Sequence, residues 1–169
     1  KTASFIWAAG ITGAPVKGID GNALVEKANR YKVDRTNAII GYEKIYALGD
    51  IALMETPNFP KGHPQVAQPA IQQGKHLGKN LKRSFKGKEM IPFEYFDKGT
   101  MATVGRNKAV VDIKKMHFGG AVAWFLWMFI HLYFLVGFRN RVVTFFNWTY
   151  NYINYDRAAR LIIRPFKIK

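Results

Sequence analysis

Residues 121–138, AVAWFLWMFIHLYFLVGF, run for 18 positions without a formal charge, and only His131 and Gly137 among them are neither aliphatic nor aromatic. No other feature limits the chain as much, because such a run must be removed from water. As one helix rising ~1.5 Å per residue it would reach roughly 27 Å, marginal against a hydrocarbon core of about 30 Å. A single pass across a bilayer and an in-plane position in one leaflet are both open on length alone. The run stops at Arg139-Asn140-Arg141. Residues 142–155 then read as an aromatic-rich helix with Thr144, Asn147, Asn151 and Asn154 gathered on one face. The stretch 157–169 is basic and carries no acidic residue.

The charge balance points the same way. Lys and Arg total 26 against 11 Asp and Glu, a formal charge of +15. That excess calls for an anionic partner: nucleic acid, anionic lipid or a polyphosphate. With 49% hydrophobic and 15% aromatic residues, the aromatics concentrated near the C-terminus, lipid is the better match and no nucleic-acid partner is expected. Cysteine is absent, which excludes disulfides, thiolate catalysis and cysteine zinc sites. His63, His76, His117 and His131 show no close pairing, so no metal site is expected. The chain opens on Lys1 inside an apolar run, the pattern expected of a fragment.

Composition divides the chain into residues 1–91, 92–117 and 118–169, and the pattern is α+β. In the first region residues 4–9 read as a buried strand ending at Gly10, 22–28 as a short helix and 31–33 as extended. Residues 44–48 read as a second buried strand stopped by Gly49-Asp50. The helix at 66–85 is the clearest element there, because Pro69 is tolerated only in a first turn. Its periodicity puts Val66, Ala67, Ala70, Ile71, Gly74, Leu77, Gly78, Leu81 and Phe85 on one apolar face. Lys75, Lys79, Lys82, Arg83 and Lys86 form a basic stripe, with Gln68 and Gln72 pointing the same way. In the second region residues 100–104 and 108–113 read as a β-hairpin turning at Gly105-Arg106-Asn107.

A strand that ends in Gly-Asp brings backbone close to a ligand and presents a carboxylate, although Gly-Asp also ends many strands as a plain turn. Here it belongs to a longer pattern. Thr36 followed by Ile45-Tyr46-Ala47-Leu48-Gly49-Asp50 resembles the late FAD-contacting motif of flavoprotein reductases with two dinucleotide-binding domains. Ile6-Trp7-Ala8-Ala9-Gly10 resembles their strand returning from the NADH domain to the FAD domain. Arg30-Tyr31-Lys32-Val33-Asp34 sits where they carry G-R-h-x-V-D, with Asn29 in place of the glycine. Ala67-Gln68-Pro69-Ala70-Ile71-Gln72-Gln73-Gly74 is similar to the A-Q-x-A-x-Q helix start of type II NADH:quinone oxidoreductases. Gly119 to Arg141 is close to the membrane-anchoring segment of bacterial members.

This resemblance implies the C-terminal part of a Rossmann-like α/β FAD-binding domain, then a β-hairpin and membrane-anchoring helices. It further implies a FAD-dependent respiratory enzyme that oxidises NADH and reduces a membrane quinone without pumping protons. Such an enzyme would be monotopic on the cytoplasmic face of a bacterial inner membrane, on anionic lipid, with room for a homodimer. Gly49, Asp50, Ala67 and Gln68 would border the flavin, and Gln68 and Gln72 the quinone. No residue here reads as catalytic. No G-x-G-x-x-G occurs, the nearest run being Gly10-Ile11-Thr12-Gly13, so the resemblance places both pyrophosphate loops upstream of Lys1. The chain alone is expected to be inactive. A rival reading is a non-enzymatic single-pass or monotopic membrane protein with a small soluble domain.

Overall fold

A computed structural model of the chain describes residues 10–19, 24–25 and 29–154. The expected strand at 4–9 and the basic tail from 157 lie outside them. The chain divides into two units, Lys1–Lys98 and Gly99–Lys169.

In the first unit a small sheet has the order β1-β2-β3, with β1 at Leu24–Val25, β2 at Arg30–Lys32 and β3 at Ala52–Leu53. β1 pairs antiparallel with β2, and β2 parallel with β3. The helix expected at 22–28 is therefore corrected, since Leu24 and Val25 are strand residues facing Tyr31 and Arg30. So short an isolated helix would gain too few hydrogen bonds to offset its nucleation, whereas pairing with β2 supplies them at once. The strand expected at 44–48 is also absent. Asn37 and Lys44 adopt left-handed backbone with φ of 70° and 62°, which breaks the pleat. What remains is a folded loop, fastened where Asn37 Nδ2 donates to the Ala47 carbonyl at 3.1 Å and Ala47 N donates back to the Asn37 carbonyl at 3.0 Å. Asp34 Oδ1 holds the preceding turn, accepting from Thr36 N, Thr36 Oγ1 and Ala38 N. Tyr31, Val33, Ile39, Ala47, Ala52, Met54 and Phe93 form the core beneath.

Helix α1 spans Ala67–Ser84 with Pro69 in its first turn, as the sequence required. Its buried strip is different from the expected apolar face. Pro69, Gln73, Leu77 and Asn80 are buried, while Ile71 is 45% and Phe85 87% exposed. The lysine stripe is exposed. Segment 91–98, an extended run with no strand partner, lies along one side of the helix, and the helix side chains bond its backbone.

In the second unit β4 (Thr100–Gly105), β5 (Lys108–Ile113) and β6 (Met116–Gly120) form an antiparallel meander with β5 in the centre. The expected hairpin thus gains a third strand, and Phe118, read as the start of the helical region, belongs to β6, facing Val111. Two tight turns close it, each placing one non-glycine residue at positive φ, Asn107 at 58° and Lys114 at 53°. Ala109 and Val111 of β5 pack on Ala123 of helix α2, which spans Ala121–Phe134. The uncharged run is therefore not one helix to Phe138. α2 ends after 14 residues, Gly137 takes φ of 87°, and α3 begins at Phe138 and runs to Asn154. Polar residues just past the run drive the break. Arg141 Nε donates to the Leu135 carbonyl at 2.8 Å and Asn140 Nδ2 to the Val136 carbonyl at 2.9 Å, capping groups the helix has released. At ~1.5 Å per residue α2 is about 21 Å long. No helix among the described residues is long and apolar enough to cross a membrane.

Candidate functional site

The Gly49-Asp50 pair and the start of α1, about twenty residues apart in sequence, are brought together. Residues Gly49–Ile51 form a single 3-10 turn. A methyl group placed on Gly49 would stand 3.2 Å from Ala70 Cβ, and its φ of 72° is itself unfavourable for a side chain. Glycine is therefore required twice over. Two side chains lock the turn in place: Gly49 N donates to Gln73 Oε1 at 2.7 Å, and Gln65 Nε2 donates to the Asp50 carbonyl at 2.9 Å. The Asp50 residue is exposed. Val66 precedes the helix in extended conformation and no side chain caps it; no acidic residue lies in the first turn. The N–H groups at the start of α1 thus carry their partial positive charge with no acidic residue in that turn.

Gln68 and Gln72 sit where the sequence put them, on α1 near its start, but they already have work. Gln72 Nε2 donates to the Phe96 carbonyl at 2.9 Å while its Oε1 accepts from Phe96 N at 3.1 Å. Gln68 Oε1 accepts from Lys98 N at 3.2 Å. The pattern continues down the helix at intervals of four. His76 Nε2 lies 2.8 Å from the Ile91 carbonyl, and Asn80 grips both the N–H and the carbonyl of Ile91 at 3.0 and 2.8 Å. Gln68, Gln72, His76 and Asn80 form a polar ridge along which segment 91–98 is strung. A primary amide has two N–H bonds and two lone pairs, so Gln72 keeps half its capacity after clasping Phe96. Ala67, the first residue of the helix, is exposed.

Behind the site lies a buried basic residue that sequence reasoning gave no role. Arg30 Nη2 donates to the Ala52 carbonyl and to the His63 carbonyl at 3.3 Å. It thereby joins β2, the exit of the Gly49 turn and the approach to α1. Burial lowers its pKa, and the Asp50 charge opposes that shift. His63 is buried in a box of Phe59, Phe93 and Tyr95 rings, 5.2 to 5.6 Å from its own. Both its ring nitrogens lack a hydrogen-bond partner among the described residues. Burial first, then the charges of Arg30 and Arg35, hold its pKa below the usual value. The signal for Gln73, Arg30 and His63 was faint: a third glutamine beside two others, and single polar residues within apolar surroundings.

A family model described as the NDH2 C-terminal domain matches residues 98–154. The type II NADH:quinone oxidoreductase Ndh of Mycobacterium tuberculosis is 35% identical over 168 residues, 96% of this chain and 35% of its own length. The chain belongs to the type II NADH:quinone oxidoreductase family. NdhA of the same organism is 34% identical over 166 residues, 93% of this chain and 34% of its own length. A Staphylococcus aureus member is 31% identical over 121 residues, 72% of this chain and 30% of its own length. The chain spans about a third of the length of these curated relatives. NDH2 from Plasmodium falciparum, solved in complex with NADH, has the same fold at a TM-score of 0.61 and 17% identity, over 80% of this chain and 41% of that one.

Two outcomes follow from this geometry. Gln73→Ala strands the Gly49 N–H, and losing a buried acceptor of this kind costs about 1–3 kcal/mol. Urea unfolding should show that loss, and hydrogen exchange should quicken at Gly49–Ile51 before the rest of the unit; unchanged exchange there would refute the locking role. For His63 the sign is set by its lowered pKa. Below about 6.5 the unfolded chain takes up a proton that the folded imidazole refuses, so stability falls as pH drops through that window. Phenylalanine suits the aromatic box and does not titrate. Between pH 7.5 and 5.5 the His63→Phe protein should therefore lose less stability than the parent, and parallel losses would count against it.

Proposed function

We propose that the intact protein is a FAD-dependent NADH:quinone oxidoreductase that does not pump protons. This chain then supplies one wall of the flavin and quinone sites and a monotopic membrane anchor, and is inactive alone. The observation that carries the reading is the uncapped start of α1 held against the Gly49-Asp50 turn. The residues present fit a flavin. N–H groups at a helix start suit the carbonyl oxygens and the negative charge of a reduced isoalloxazine, and the Asp50 carboxylate suits a polyol hydroxyl. Gly49 lets the start of α1 come close to the turn. The flavin, when bound, supplies the two-electron link between nicotinamide and quinone.

Within that scheme each residue has a distinct task. Gly49 and Asp50 hold the ribityl side, and Ala67 and Gln68 offer backbone amides to the ring. Gln68 and Gln72 border the quinone. Gln72, oriented by Phe96, offers its second N–H and second lone pair to a quinone carbonyl without adding charge. NADH and the pyrophosphate-binding loops are assigned to the remaining length of the intact protein, which would also cover the exposed apolar strip at Val66, Ile71 and Phe85. The anchor consists of α2 and α3 lying in the cytoplasmic leaflet of a bacterial inner membrane. Phe129, Phe138, Phe146 and Ile153 are each more than three-fifths exposed, and Arg139 and Arg141 face anionic headgroups.

Asp50→Ala in the intact protein should lower the flavin absorbance per polypeptide while circular dichroism stays unchanged; full occupancy would overturn the assignment. For the anchor, Val122, Phe129, Phe138 and Phe146 replaced together by Ser should move the protein from the membrane pellet to the soluble fraction. Each buried aromatic is worth about 1.5–3 kcal/mol, more than the ~1 kcal/mol of a basic residue near anionic lipid. Release of the unsubstituted protein by high salt alone would replace the apolar anchor with a purely ionic one.

A further inference from the structure

The basic stripe of α1 has no part in the site described above. From Lys75 to Lys88 the chain carries Lys75, Lys79, Lys82, Arg83, Lys86 and Lys88 and no acidic residue. Lys75, Lys79 and Lys82 share a narrow arc of the helix and are exposed, as are Lys86 and Lys88 just past its end. Arg83 is half-buried, its Nε donating to the Glu89 carbonyl at 3.0 Å. Spaced three and four apart, these like charges repel one another along the helix. Ion pairs among the described residues join Lys32 to Glu55, Arg35 to Glu94 and His117 to Asp112, and none of them reaches the stripe. Three acidic residues, Asp20, Glu26 and Asp156, lie outside the described residues. Even together they do not balance six cations. The surplus suits a partner with many negative charges.

The residue types narrow the kind of anion. Five of the six are lysines, hydrated point charges on flexible stems, without the planar fork by which arginine grips one phosphate from two sides. Such an array suits a diffuse anionic surface better than a single bound phosphate. A nucleic-acid strand would want aromatic rings among the cations for its bases, and between 75 and 88 only Phe85 is a Phe, Tyr or Trp. Gln68 and Gln72 lie on the same side of α1 as the stripe. On the reading above, the helix side that meets a membrane quinone is therefore also the cationic one, and a membrane quinone arrives through lipid.

We propose that the lysine stripe of α1 rests on anionic phospholipid headgroups, a second membrane contact separate in sequence from α2 and α3. The inference rests on the anchor and quinone readings above and deepens them. With the anchor already in the leaflet, the stripe stays near the surface, so individually weak attractions suffice. Gln73 ties α1 to Gly49 and Asn80 ties it to Ile91. The helix therefore cannot turn alone, and the stripe sets the side on which Gln68 and Gln72 meet the bilayer.

The test uses the intact protein purified in mild detergent and its partition onto phosphatidylcholine vesicles with and without phosphatidylglycerol, over a salt series. Lys75→Gln, Lys79→Gln and Lys82→Gln together make the stripe variant, with helix propensity kept. Lys17→Gln, Lys44→Gln and Lys61→Gln together make a control of equal charge, at exposed positions outside α1. Wild type should prefer the phosphatidylglycerol vesicles. The stripe variant should lose roughly fivefold of that preference for each lysine removed, and its preference should vary less steeply with salt. Its binding to phosphatidylcholine alone, governed by the apolar anchor, should stay the same, and the control should keep most of the anionic preference. An undiminished preference in the stripe variant would overturn the proposal, and loss of oligonucleotide binding in its place would reassign the stripe to nucleic acid. Equal losses in the two variants would also overturn it, leaving net charge as the cause. Failure of the underlying readings shows elsewhere. A wild type that ignores phosphatidylcholine vesicles defeats the apolar anchor, and normal quinone reduction by Gln72→Ala defeats the quinone assignment. In both cases the phosphatidylglycerol comparison still decides this inference.

Discussion

Segment 91–98 has no strand to pair with, yet it runs along the side of a helix, and side chains of that helix bond its backbone where a neighbouring strand would. Gln68, Gln72, His76 and Asn80 make these bonds, and the rest of the first unit follows from them. Because the helix must present this ridge, its Gln73 falls on the buried side, where it can accept the Gly49 N–H. Because Phe93 is drawn inward between Arg35 and the core, its ring meets His63 and His76. A helix chosen for packing alone would have buried Ile71 and Phe85. Here the helix side that faces segment 91–98 carries hydrogen-bonding side chains, each such bond worth about 0.5–1.5 kcal/mol, and Ile71 and Phe85 stay exposed.

How much of this could be read beforehand depends on the length over which a pattern acts. Helix α1 was legible to within a residue, because Pro69 fixes its start and eighteen residues of periodicity average out local exceptions. The hairpin at 100–113 was legible from its turn residues. The third strand was not, since Met116 to Gly120 carries two glycines and joins a run that reads as helical from its composition. The loop at 44–48 misled for a similar reason. Ile45, Tyr46, Ala47 and Leu48 look like a strand, but the left-handed conformation of Asn37 and Lys44 is decided by tertiary contacts that no four-residue window contains.

The candidate site was legible as a set of residues and not in its wiring. Gly49, Asp50, Ala67, Gln68 and Gln72 were singled out by the family resemblance, and what each one touches was not. That Gly49 and Ala70 would touch, or that a third glutamine would clamp the turn, follows only from the crossing of the helix over residues 49–51. Arg30 shows the same limit. Within its motif it reads as a basic residue flanking a strand, whereas its guanidinium is spent on two carbonyls from segments twenty-two and thirty-three residues away.

The break between α2 and α3 is the step that turns an ambiguous run into a defined surface. A continuous helix over residues 121–138 would have been near bilayer length and apolar all round. Ending it at Phe134 leaves about 21 Å, too short to cross a core of about 30 Å. The reversal at Gly137 then lays a second helix beside the first, so that aromatic rings from both meet, as Trp127 with Trp148 at 5.9 Å and Trp124 with Tyr152 at 5.4 Å. His131, within α2, finds its contacts on its own helix: its Nδ1 lies 2.7 Å from the Trp127 carbonyl and its ring stacks on that indole. Two short helices joined in this way expose a broad apolar face without needing either to span anything. In the proposed in-plane arrangement that face is what hydrocarbon must cover, and the arginines that end the run, Arg139 and Arg141, set the depth at which it can do so.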